Sequence, residues 1–80
     1  GLNMRVRYND RTVNMDQVFE HTVETNSITF FSNTMGRVKF IFETKDHADL
    51  CYARISQGFS NSEKFLDLNG FIAQQLNHKN

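Results

Sequence analysis

His47 and Cys51 lie four residues apart in TKDHADLCYARISQGF, a stretch whose Ala48, Cys51, Tyr52, Ile55 and Phe59 recur at helical spacing, with Leu50 at the margin of the stripe. Residues four apart on a helix share a face, so an imidazole and a thiol would project together. His21 falls on a strand that this helix should cover, and the three could meet as a metal cluster or as a thiol nucleophile with its base. Both chemistries ask for more than is present. Structural zinc takes four nitrogen or sulfur ligands in a tetrahedron, and the remaining candidate, His78, belongs to a polar tail. A nucleophilic thiol needs its pKa lowered by a cation or a helix N-terminus, whereas Cys51 sits about two turns into the expected helix. The set reads instead as a small buried thiol and a histidine hydrogen-bonded at the sheet margin.

Other reactive arrangements are thinner. Asp46 with Asp49, and Glu20 with Glu24, fall where a solvated helix turn or strand face places carboxylates anyway. Gly1, Gly36, Gly58 and Gly70 are isolated, which leaves no phosphate-cradling loop, and no Ser-His-Asp order follows from spacing. The expectation is a protein without catalytic residues, metal or cofactor.

Two constellations point to binding. Arg5, Arg7, Arg37 and Lys39 flank Phe31, and single-strand binders combine aromatic platforms with basic side chains on open sheets. Set against this, Asp16, Glu20 and Glu24 stand on the strand between those cations, and nine Lys plus Arg balance nine Asp plus Glu, so no long-range field gathers a polyanion. Single-stranded DNA or RNA binding is therefore the alternative reading. The favoured one is self-association: Val18, Phe31 and Ile41 form an apolar strip inside a polar rim, and the tail supplies Phe71, Ile72 and Leu76, either to cover that strip or to pack on a neighbour. A small non-catalytic intracellular module that homodimerises through the outer sheet face and the C-terminal segment is the function this pattern predicts.

The strands that position these residues follow from alternation. In MRVRYNDRTVNM, Met4, Val6 and Tyr8 alternate with arginines, Asn9-Asp10 breaks the run, and Val13 and Met15 resume it; a two-residue turn sets Tyr8 opposite Arg11, Val6 opposite Val13 and Met4 opposite Met15. Phe19, His21 and Val23 keep the parity of Val13 and Met15, with Gln17 breaking the series, which predicts one long second strand with a kink or bulge near Asp16-Gln17. A connection from Glu24 to Ser27 pairs Val23 with Ile28 and His21 with Phe30. In ITFFSNTMGRVKFIF, a loop of Thr34-Met35-Gly36 pairs Asn33 with Arg37 and sets Phe30 opposite Phe40 and Ile28 opposite Phe42, collecting Ile28, Phe30, Val38, Phe40 and Phe42 on the core face.

The predicted fold is α+β: a four-stranded antiparallel meander, a helix packed across its core face with Thr44 as N-cap and Gly58 at its end, and a short C-terminal element, extended over Phe65 to Leu68 and helical from Asn69 to Asn77. One domain over residues 3–77 suits a chain of 80 residues, whose core must be thin. One cysteine provides no intrachain disulfide and suits a reducing compartment, and no apolar run reaches the ~18 residues of a membrane span. A cytoplasmic protein is expected.

Overall fold

The computed structural model describes residues 4–78, with side chains as far as Leu76, so Asn3 of the expected domain lies outside the described residues. Within the described residues, six strands and two helices follow one another as β1 (Arg5–Tyr8), β2 (Arg11–Asn14), a 3-10 turn (Met15–Gln17), β3 (Val18–Glu24), β4 (Ser27–Ser32), β5 (Gly36–Ile41), α1 (Lys45–Ser60), β6 (Phe65–Asp67) and α2 (Leu68–His78). The class is α+β, as the sequence predicts. The strands form two three-stranded sheets, ordered β2-β1-β6 and β3-β4-β5, in place of one four-stranded meander.

The division arises at Met15–Gln17. Asn14 Oδ1 accepts the Asp16 N–H at 3.0 Å, capping a single 3-10 turn that ends the β1–β2 ladder just after the Met15 N–H has donated to the Met4 carbonyl at 2.8 Å. The expected kink or bulge at this point is thus a true break, and the second strand becomes β2 in one sheet and β3 in the other. The open edge of β1 is taken instead by β6, in parallel, with Arg5 beside Phe65, Val6 beside Leu66 and Arg7 beside Asp67. That pairing joins the two ends of the chain and requires the long crossover that parallel neighbours always need.

The first two hairpins keep the register that alternation predicts: Val6 faces Val13 and Tyr8 faces Arg11, then Val23 faces Ile28 and His21 faces Phe30. Asn9 takes a left-handed φ of 55°, a conformation asparagine tolerates, and its amide donates to Asn69 Oδ1 at 2.6 Å while Asn69 Nδ2 donates to Asn9 Oδ1 at 3.0 Å. This reciprocal pair fastens the β1–β2 turn to the start of α2.

The β4–β5 register differs by two residues from the expected one. Phe30 faces Val38, Ile28 faces Phe40 and Ser32 faces Gly36. The loop keeps three residues but moves back by one, to Asn33-Thr34-Met35, where Ser32 Oγ accepts the amides of both Thr34 and Met35 at 3.2 Å and Gly36 holds the left-handed φ of 71°. A two-residue slip leaves every side chain on its own face. Phe30 and Phe40 still meet diagonally, ring centroids 5.0 Å apart and planes at 67°, and Ile28, Phe30, Val38, Phe40 and Phe42 are all buried.

Those residues form one core with Met4, Val6, Val13 and Met15 from the smaller sheet, Leu66 and Leu68 from the C-terminal segment, and Ala48, Cys51 and Ile55 from α1. Thr44 caps α1 by accepting the His47 amide at 3.1 Å. Gly58 does not end the helix, contrary to the sequence reading. It lies within α1, where a Cβ would make ordinary contacts, 3.4 Å from the Met4 sulfur; the end falls at Asn61, followed by left-handed Ser62. Arg54 then grips Glu63 through two hydrogen bonds of 2.8 and 3.2 Å, holding the turn into β6 against α1.

Candidate functional site

The outer face of the larger sheet is built by the β3–β4 and β4–β5 ladders. Pairing aligns Glu20, Phe31 and Arg37 in one row across the three strands, Thr22, Thr29 and Lys39 in the next, and Glu24, Ser27 and Ile41 in the third. Directly paired residues share a face. The rows therefore read acid–Phe–base, Thr–Thr–base and acid–Ser–Ile, with both carboxylates on β3, both cations on β5 and an uncharged centre on β4. α1 packs on β3 and β4 from the core side, and α2 packs on β1 and α1. Ile41 is left 63% exposed and Phe31 half-buried.

A β-bulge between Val18 and Glu20 reshapes the entry to this face. Phe19 is the extra residue, 65% exposed, with its ring centroid 6.4 Å from that of Phe31. Val18, expected on the outer strip, pairs with Ser32 and packs against the core, because one inserted residue reverses the alternation upstream of it. The sequence reading thus has the two neighbours the wrong way round: Val18 turns inward, and Phe19 extends the outer strip. The polar break at Gln17 predicts an irregularity near Asp16-Gln17, but nothing in QVFEH itself places the extra residue at Phe19.

The remaining expected interface residues divide. Phe71 and Ile72 pack against the core of their own chain, while Leu76 stands 50% exposed on α2. The five residues of the nucleic-acid constellation also divide. Phe31, Arg37 and Lys39 belong to the larger sheet, whereas Arg5 and Arg7 lie on the smaller one, between β2 and β6, with Arg7 Nε donating to the Asn9 carbonyl at 3.2 Å. They do not make one platform, because β1 pairs with β6 and not with a continuous meander.

Comparison of the chain with protein-family models, curated proteins and solved structures finds no match.

Among the described residues, no three His, Cys, Asp or Glu side chains are placed to hold a metal ion. The His78 side chain lies outside them. Cys51 is fully buried, and burial pushes its thiol up to about 12, the opposite of what a nucleophile needs. His21 lies between aromatic rings, its centroid 6.1 Å from Phe30 and 5.1 Å from Tyr52; burial lowers its pKa and leaves Nε2 without a hydrogen-bond partner among the described residues. The hydrogen bond expected of it at the sheet margin is not made at that nitrogen. Beside it, Met15, Val18, Phe19, Glu20 and Phe59 line a hollow of ≈ 200 Å³. A larger open groove of ≈ 420 Å³ runs along Asp46, Asp49, Leu50, Ala53 and Gln75, where Asp49 accepts a hydrogen bond from Lys45 Nζ at 2.6 Å. Neither hollow brings a nucleophile and a base together.

Proposed function

We propose that the protein is a small non-catalytic interaction or regulatory module of the cytoplasm that works as a homodimer through the outer face of the β3-β4-β5 sheet. The observation that carries this reading is the centrally uncharged row structure of that face, where Ser27 and Thr29 are buried along the middle strand, Phe31 is half-buried, Ile41 is exposed and Phe19 is added by the bulge. A thin core in a chain of 80 residues gains from covering such a strip. The C-terminal segment, expected from the sequence at the same interface, contributes at most Leu76, since Phe71 and Ile72 are engaged within the chain.

The footprint sets the strength. Three strands ~4.8 Å apart and about six residues long at ~3.3 Å each present about 300 Å² in projection, well under the ~800 Å² per partner of a standard interface. The dimer is accordingly of the weak, reversible kind, with a dissociation constant in the micromolar range or above. Sedimentation equilibrium from about 10 μM to 1 mM should follow a monomer–dimer isotherm, and Phe31→Glu should leave a folded monomer across that range. A wild-type chain that stays monomeric throughout refutes the reading. If instead it binds a single-stranded oligonucleotide with an affinity that falls steeply with salt and is lost in Arg37→Glu with Lys39→Glu, the nucleic-acid alternative takes its place.

A further inference from the structure

The charge pattern of the outer face specifies how two copies would meet, an inference that rests on the homodimer reading above. Glu20 and Glu24 occupy β3 on one side of β4, and Arg37 and Lys39 occupy β5 on the other, at defined levels along the strands. None of these four makes an ion pair within the chain among the described residues. A closed dimer needs a two-fold axis, and the sheet has three principal directions along which to set one.

An axis normal to the sheet joins two edges. It would set β5 against the partner's β5, putting Arg37 and Lys39 among their own copies, or β3 against the partner's β3, with glutamates opposed and a bulge in the ladder. An axis across the strands, between two stacked faces, also lays β3 over β3 and β5 over β5. Like charges confront one another in every one of these. An axis parallel to the strands and above β4 is different, because it exchanges left and right while keeping the level along the strand. It lays β3 over the partner's β5, so Glu20 meets Arg37 of the partner subunit, and the partner's Glu20 meets Arg37.

We infer that the occupant of this face is a second copy of the chain, stacked face to face about a two-fold axis running along β4, with Phe31 against the partner's Phe31 and two symmetry-related Glu20–Arg37 pairs at the rim. With the two β4 strands crossing over the Phe31 row, the modest rotation between packed sheets, about 30°, leaves both pairs within side-chain reach across a spacing of about 10 Å. Since the third row carries Ile41 in place of a cation, the Phe31 row is where charge registry is complete.

Charge reversal tests this separately from the existence of a dimer. Glu20→Arg alone and Arg37→Glu alone each create two like-charge contacts and should weaken self-association at least about tenfold at low ionic strength. The double variant restores both contacts and should dimerise again. An equimolar mixture of the two single variants should form a heterodimer, which no effect within one chain could produce. Circular dichroism at low micromolar concentration checks that every variant is folded. A wild-type chain that never dimerises defeats the proposed function and this inference together. A wild-type dimer indifferent to the single reversals, or a double variant that does not recover, leaves the homodimer standing and overturns this arrangement.

Discussion

Cys51 offers a direct measurement of whether the two sheets and α1 enclose a common core. It is the one cysteine of the chain, it is fully buried, and burial pushes its thiol up to about 12. Thiol reagents attack the thiolate. At pH 8 a group titrating at about 12 is ionised in about one molecule in ten thousand, against about one in four for a free cysteine of pKa ~8.5. Direct reaction of the native protein is thus slowed more than about a thousandfold before any steric hindrance is counted. The other route runs through unfolding. A stability of roughly 0.05 kcal/mol per residue amounts to about 4 kcal/mol over 80 residues, which exposes the thiol in about one molecule in a thousand. Both routes give the same floor. Labelling with 5,5′-dithiobis(2-nitrobenzoate) at pH 8 should therefore be at least about a thousandfold slower in buffer than in concentrated urea, and the protection should decline with the midpoint seen by circular dichroism. Protection below about tenfold in buffer would place Cys51 at the surface and refute the packing of α1 across the core face.

Three further outcomes follow from the same geometry. Burial lowers the His21 pKa, so the unfolded chain takes up a proton that the folded one resists; the stability present above the unfolded value of ~6.5 is lost as pH falls through the folded pKa, and His21→Phe should flatten the decline in urea midpoint between pH 7.5 and 5. A Cβ on Gly36 would meet nothing within 4 Å, yet its φ of 71° disfavours one, so Gly36→Ala should cost about 1–2 kcal/mol in equilibrium unfolding and Gly36→Asn less. Thr29 is buried with its hydroxyl unpartnered among the described residues, so Thr29→Val should raise stability by about 1 kcal/mol, and a loss of that size would show that the hydroxyl has a partner.

Local alternation in the sequence specifies faces well and neighbours poorly. The inward set of Ile28, Phe30, Val38, Phe40 and Phe42 is legible because a strand's period of two survives any even slip, and the β4–β5 ladder slipped by two. The Thr44 cap, the β6 segment and the first two turns are equally local. What the sequence withholds is partner choice: nothing in MRVRY states that Val6 will lie beside Leu66, sixty residues on, and the polar break at Gln17 is equally compatible with a kink and with the end of a sheet. An apolar pair such as Val18-Phe19 supplies a core residue in either parity, so only the bulge decides which of them turns inward.

The candidate site depends on one short connection more than on that bulge. Glu24 pairs with Ser27 across the two-residue turn Thr25-Asn26, and this fixes Glu20 and Glu24 outward and His21 and Val23 toward the core. Asn26 also bridges forward, its carbonyl accepting the Phe42 amide at 2.7 Å and its side-chain amide donating to the Phe42 carbonyl at 3.1 Å, which ties the β3–β4 turn to the end of β5. A one-residue slip of β3 against β4 would turn every side chain of β3 to the opposite face, burying two carboxylates against Phe30 and Tyr52 and exposing the valine. The segregation of acids on β3 from bases on β5 is in this sense a consequence of core formation: the same two-residue turn that seats His21 beneath α1 also determines which charges a second copy would meet.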